Sequence, residues 1–91
     1  AGFTRARVGD RVWAYGPIRE TVDVREDHVF ALPPGLSAEA AVCIDPGHFA
    51  LGAVREARVT PGDRVVVTGL GAIGLFVVQM LARAGCDFLV T

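Results

Sequence analysis

Hydrophobic positions follow two different rhythms along this chain. Over the first 35 residues they come in short runs broken by turn formers. Residues 1–7 read as an extended lead-in, and Val8-Gly9-Asp10 as a turn. Arg11 to Tyr15 predicts a short strand, because Val12, Trp13, Ala14 and Tyr15 together favour β structure. Gly16-Pro17 ends it. From Ile18 to Arg25 the pattern alternates, with Ile18, Glu20, Val22 and Val24 opposed to Arg19, Thr21, Asp23 and Arg25. Glu20 spoils one face, but Thr21 to Val24 still predicts a half-buried strand. Glu26-Asp27 turns, His28 to Leu32 predicts another strand, and Pro33-Pro34-Gly35 stops it. The expectation for this part is antiparallel β structure with tight turns.

The rhythm then becomes helical. Ser37 suits an N-cap for a helix from Ala38 to about Cys43, with Glu39 in its first turn. Asp45-Pro46-Gly47 interrupts, and Pro46 fits the first turn of a second helix predicted from about Gly47 to Arg58. Thr60-Pro61-Gly62-Asp63 turns into Val65-Val66-Val67, an apolar run without alternation. Such a run suits a parallel strand buried on both faces. Leu75 to Ala84 predicts a helix and Phe88 to Thr91 a second strand. The fold class is therefore α/β, a partial Rossmann-type strand-helix-strand unit preceded by antiparallel strands, with a boundary near Asp45. One such unit lacks the neighbours a buried parallel strand needs, so a piece of a longer protein is expected. No internal repeat stands out.

Between the buried run and its helix lie Gly69, Leu70, Gly71, Ala72, Ile73 and Gly74, in G-x-G-x-x-G spacing. Glycine at the first place lets the chain leave the strand sharply. At the second it leaves bare backbone for a pyrophosphate, and at the third it lets the helix pack closely. The N–H groups at about Ala72 to Gly74 would then face the phosphates at the positive end of the helix dipole. The spacing alone is weak, and a plain strand-turn-helix is the alternative. Its position between strand and helix patterns is the context that a dinucleotide site requires.

Composition narrows the possible partners. Nine arginines, no lysine and ten acidic residues give a net charge of −1, with no basic cluster. That balance argues against a nucleic-acid surface or an anionic membrane as partner. The apolar run from Leu70 to Ala82 is about 13 residues, short of the roughly 20 needed to span a bilayer. Cys43 and Cys86 lack metal-type spacing to each other and read as reduced, buried thiols in a cytoplasmic protein. The N-terminal residues do not form a signal peptide.

Taken in order, these pieces resemble the medium-chain dehydrogenase/reductase family, the zinc-type alcohol and polyol dehydrogenases. Residues 1–13 look like the end of a catalytic-domain strand, and Glu20 to Pro34 resembles the strand pair that follows. Gly35 to Ala41 looks like the helix leaving that domain, and Thr60 to Gly85 like the first strand and helix of the cofactor domain. The resemblance implies that residues 1–44 are the C-terminal part of a GroES-like catalytic domain with its exit helix. Residues 45–91 would begin a Rossmann dinucleotide-binding domain. It implies NAD or NADP as cofactor, catalytic zinc, a small-molecule alcohol or carbonyl as substrate, and a homo-oligomer in the intact protein.

The resemblance also assigns roles. Asp45 stands where relatives carry a glutamate or cysteine zinc ligand, and a carboxylate oxygen is a competent ligand. The alternative is that Asp45 caps a helix starting at Pro46. Cys43 is a rival ligand that family register disfavours. His48 falls near the nicotinamide end and is implied as a ligand-adjacent or proton-relay group; a partly buried histidine bonded to a backbone carbonyl is the alternative. His28 reads as solvated, Trp13 and Tyr15 as strand packing residues, and Ile73 as the residue backing the nicotinamide ring.

Departures from the family pattern are equally informative. The family's first zinc ligands, a cysteine and a Gly-His-Glu histidine, belong upstream of the region that Ala1 resembles. The four-cysteine structural-zinc loop has no counterpart after Val12. The acidic residue that reads the adenosine ribose belongs about 20 residues past the glycines, beyond Thr91, so nothing here separates NAD from NADP. Two other readings stand beside the zinc enzyme: a zinc-free NAD(P)H-dependent reductase of the same superfamily, and a non-catalytic nucleotide-binding fragment.

Overall fold

The computed structural model describes residues 6–91, which form two compact units, residues 6–42 and 43–91. The lead-in expected over 1–7 falls largely outside the described residues.

The first unit is built on a two-stranded antiparallel pair. Strand β1 is Val12–Trp13 and β2 is Phe30–Ala31, with Val12 opposite Ala31 and Trp13 opposite Phe30. The cross-strand pair carries an aromatic cluster: the Trp13 ring lies 5.8 Å from Phe30 and 4.6 Å, edge-on, from Tyr15. These tilted and edge-to-face geometries are the favoured ones for aromatic rings. Both strands are shorter than their sequence patterns predict. The strand expected over Thr21 to Val24 does not form; the chain there runs without a ladder partner among the described residues. Alternation fixes which side chains share a face, but a strand also needs a neighbour to receive its hydrogen bonds. Val22 instead packs beside Gly16, where an added Cβ would lie 3.0 Å from a Val22 methyl. Glu26–His28 is a single 3₁₀ turn, braced by Arg25, whose guanidinium forks onto the Asp27 carboxylate at 3.0 and 2.7 Å. The unit closes with helix α1, Ala38–Ala41, capped as expected by Ser37, whose Oγ accepts from the Ala40 N–H at 3.1 Å.

The second unit is a strand-helix-strand with one more helix before it. Helix α2 is Ile44–Glu56, β3 is Arg64–Val67, α3 is Ala72–Arg83 and β4 is Asp87–Val90. β3 and β4 pair in parallel, Arg64 opposite Asp87 through Val67 opposite Val90. The pairing continues past both strands, with Thr91 N–H donating to Val67 C=O at 3.0 Å and Gly69 N–H to Thr91 C=O at 3.0 Å. Helix α3 lies on this ladder and α2 packs against α3. Leu81 is 1% exposed, and with Val67 and Cys86 it forms the core, flanked by Val59, Val65, Val77, Val78 and Ala84. On α3 these apolar positions recur at helical spacing, so one stripe of the helix meets the sheet.

Helix α2 begins three residues before the predicted Gly47 start. Pro46 is its third residue, where a proline removes an N–H that has no intrahelical partner anyway. Just past the helix, Arg58 lies in the left-handed region, at φ 51°. Both strands that follow a Gly-Asp-Arg-Val sequence are entered through the same turn. Asp10 Oδ2 accepts from Arg7 N–H at 2.8 Å and Asp63 Oδ2 from Thr60 N–H at 2.8 Å, with Gly9 and Gly62 at φ 94° and 89°. No repeat longer than this stands out in the sequence, yet this short one occurs once in each unit.

Candidate functional site

The Gly-rich turn leaves β3 through Gly69, whose φ of 87° is open to glycine and strained for other residues. A Cβ on Gly74 would collide with the Gly69 carbonyl oxygen and come within 3.1 Å of its carbon. The third glycine therefore holds the start of α3 against the turn itself. Gly71 is the N-cap residue of α3, in extended conformation (φ −76°, ψ −168°), and a Cβ there would meet nothing within 4 Å. Its backbone faces open space.

That space is a hollow of about 560 Å³. Gly69, Gly71, Ala72, Ile73 and Gly74 line it, so five of the six predicted cofactor-binding residues come together. Leu70 is not part of its wall, and is 51% exposed. Pro46, Val67, Thr68 and Val77 complete the wall. Sequence reasoning missed these four, although Val77 stands one turn after Ile73 and Val67-Thr68 directly precede the first glycine.

None of the lining side chains is ionisable, so polarity here comes from the main chain. Gly71 brings no side chain to cap the helix. The first-turn N–H groups of α3 precede the bond from Leu75 N–H to Gly71 C=O, 2.9 Å. A helix start of this kind beside a roomy, uncharged hollow suits an anion approached through backbone N–H groups.

The other predicted site residues stand apart from this wall. Asp45, half-buried, is the second residue of α2. The helix start is Ile44, with Cys43 at the N-cap, so the expectation that Asp45 caps a helix beginning at Pro46 is corrected. A carboxylate in a first turn is favoured by the helix dipole in any case. His48 is exposed, its ring 6.3 Å from Phe49 in an edge-on arrangement, with no hydrogen bond to a backbone carbonyl among the described residues. Of the helix wall around them, Pro46 alone reaches the hollow. Cys43 is half-exposed rather than buried. Cys86 is buried as expected, its thiol on the Thr60 carbonyl at 3.4 Å. His28 is exposed, as expected, on a smaller hollow of about 330 Å³ in the first unit, beside Tyr15 and Phe30.

The described residues do not by themselves make up a zinc site. Among the described residues no group of three or more His, Cys, Asp or Glu side chains could hold a metal ion. Asp45 would be at most one ligand of a set completed elsewhere. Among the described residues no helix is long and apolar enough to cross a membrane.

Comparison with known proteins places this geometry. No protein-family model matches the chain. It is 46% identical over 86 residues to D-guloside 3-dehydrogenase of Escherichia coli (strain K12), covering 91% of this chain and 25% of that enzyme. It is 41% identical over 70 residues to (R,R)-butanediol dehydrogenase of Bacillus subtilis (strain 168), covering 77% of this chain and 20% of that enzyme. Among solved structures, the quinone oxidoreductase of Thermus thermophilus, described alone and in complex with NADPH, matches with a TM-score of 0.72 at 32% identity. That match covers 91% of this chain and 30% of the other. The chain thus spans about a quarter of the length of the curated relatives it matches. With dehydrogenases similar over most of its length and a neighbour of the same fold, the chain belongs to the medium-chain dehydrogenase/reductase family, an oxidoreductase family of alcohol- and polyol-dehydrogenase-like proteins.

Proposed function

We propose that this chain seats the diphosphate of NAD or NADP in a dehydrogenase that interconverts an alcohol or polyol with its carbonyl. The observation that carries the reading is the Gly69–Gly74 turn, where Gly74 holds the helix start against the Gly69 carbonyl and Gly71 opens on the hollow. Bare amides there meet the diphosphate, and Ile73, 45% exposed on the same wall, backs the nicotinamide ring. The cofactor supplies the hydride chemistry when bound. The names of the relatives, butanediol and sorbitol dehydrogenases among them, support a small-molecule alcohol as substrate. NADPH in the structural neighbour supports a nicotinamide dinucleotide. We assign residues 1–44 to a GroES-like catalytic domain with its exit helix and residues 45–91 to the start of the Rossmann domain. Both cysteines are free thiols, in keeping with a reducing compartment, and we place the enzyme in the cytoplasm as a homo-oligomer.

On α2, Asp45 is the carboxylate this segment brings toward a catalytic zinc, and His48 the proton-relay group. The likeness to a quinone oxidoreductase supports a second reading, a zinc-free reductase in which Asp45 only stabilises its helix start. Metal analysis of the longer enzyme with and without Asp45→Ala separates the two: zinc lost with the carboxylate supports the first.

The dinucleotide reading is tested at Gly71. Its backbone accepts any residue and its Cβ direction is empty, so Gly71→Leu folds as the parent does while filling the hollow. NADH fluorescence titration should show saturable binding to the parent and at least a tenfold loss in Gly71→Leu. Equal binding by both would remove the diphosphate from this turn, and the reading with it.

A further inference from the structure

The wall of the larger hollow is almost devoid of side-chain polarity. Glycine, alanine, proline and branched aliphatic residues make up all of it except Thr68, whose hydroxyl is the one side-chain hydrogen-bonding group among the lining residues. Three further observations bear on this residue. Val67 is buried in the core beneath α3, so the next side chain of an extended segment points away from that core, and Thr68 is exposed. No hydrogen bond within the described residues engages its hydroxyl. Thr68 also borders a second hollow of about 250 Å³, which shares Val67 and Val77 with the first, so it stands where the two adjoin.

We propose that Thr68 is a ligand-binding residue, whose Oγ1 donates a hydrogen bond to an oxygen of the ribose–diphosphate portion of a bound dinucleotide. The proposal rests on the dinucleotide reading above. A Thr68 side chain begins one Cα step, about 3.8 Å, from the glycine that opens the phosphate turn, which is within side-chain reach of the group the turn cradles. A hydroxyl serves both phosphate oxygens, as donor, and ribose hydroxyls, as donor or acceptor. In a wall otherwise made of carbon and main chain, that one bond fixes how far along the turn the ligand sits. Valine, of similar shape, keeps the β-branched stem and removes the bond.

The test titrates the parent chain, Thr68→Val and Thr68→Ser with NADH and separately with ADP-ribose, and records each thermal midpoint. Thr68→Val should weaken both ligands about five- to tenfold, the share of one hydrogen bond to a polar or charged oxygen. Thr68→Ser, which keeps the hydroxyl, should stay within about twofold, and the midpoints should agree, since no packed contact is lost. Undiminished binding by Thr68→Val, while the parent binds, overturns the role of Thr68 and leaves the dinucleotide reading standing. A loss confined to NADH, or equal losses in valine and serine variants, overturns it too, by placing the contact elsewhere or making it one of packing. A parent chain that binds neither ligand overturns the dinucleotide reading and the role of Thr68 together.

Discussion

Two adjacent valines with the same chemistry have different fates here. Val67 is 8% exposed and sits in the core with Leu81 and Cys86, while Val66 is 63% exposed on the opposite face of β3. Truncation to alanine should therefore cost about 1–3 kcal/mol at Val67, from lost burial plus a small cavity, and less than about 0.5 kcal/mol at Val66. Urea denaturation of the two variants checks this, and equal costs would contradict the burial pattern. The sequence made the run of three valines legible as a buried strand. It could not show that one face stays open, because that depends on which other elements lie against it. At the Gly-rich turn the residue scale was more readable. Gly69 and Gly74 are required by backbone conformation and close approach, constraints that follow from the missing Cβ itself. Asp45 and His48 lacked any such local signature, and both lie off the hollow.

At the scale of elements, helix ends decide more than helix interiors. The C-terminus of α2 turns through Arg58 at φ 51°, a conformation that costs an L-residue with a Cβ about 1–2 kcal/mol relative to glycine. No hydrogen bond or ion pair engages the Arg58 side chain among the described residues, so Arg58→Gly should raise stability by about 0.5–1 kcal/mol after the added freedom of the unfolded chain is counted. A rise in thermal midpoint measures it; a fall would mean the arginine side chain contributes more than its backbone costs. At the N-terminus of α2, Pro46 stands in the first turn, as its position in the sequence predicts, since its missing N–H is not used there. Ser37 was read correctly because a side-chain cap is a local bond that its neighbour's N–H completes. The strand expected over residues 21–24 failed for the opposite reason, its partner not being specified by its own sequence.

Across the whole molecule, the hydrophobic residues outnumber the places available to bury them. Among the described residues only Ala41, Ala50, Val67, Leu81 and Cys86 are buried, while Val66, Leu89 and Phe88 on the parallel pair remain 63%, 62% and 41% exposed. A core this small gives modest stability, and any ligand that binds the folded state alone should add to it visibly. With NADH at a hundred times its dissociation constant, unfolding free energy should rise by about 2.7 kcal/mol in the parent chain. Gly74→Ala, which forces its Cβ against the Gly69 carbonyl, should lose most of that increment. Denaturation with and without NADH reads both, and a full increment in the variant would show that the turn is not the seat of the ligand.

The residue order by itself determined the local geometry: the glycine that exits the strand, the serine that caps α1, the helical stripe of α3 and the aspartates that close the turns before β1 and β3. Each is fixed by atoms a few residues apart, so chain connectivity brings them together. Tertiary structure decided what distant segments share. It set Pro46 of α2 beside the glycines, gave Thr68 a place on the same hollow, kept Leu70 off it, and left one face of the parallel pair uncovered. Those outcomes depend on packing between elements, where the partner rather than the residue itself sets the environment.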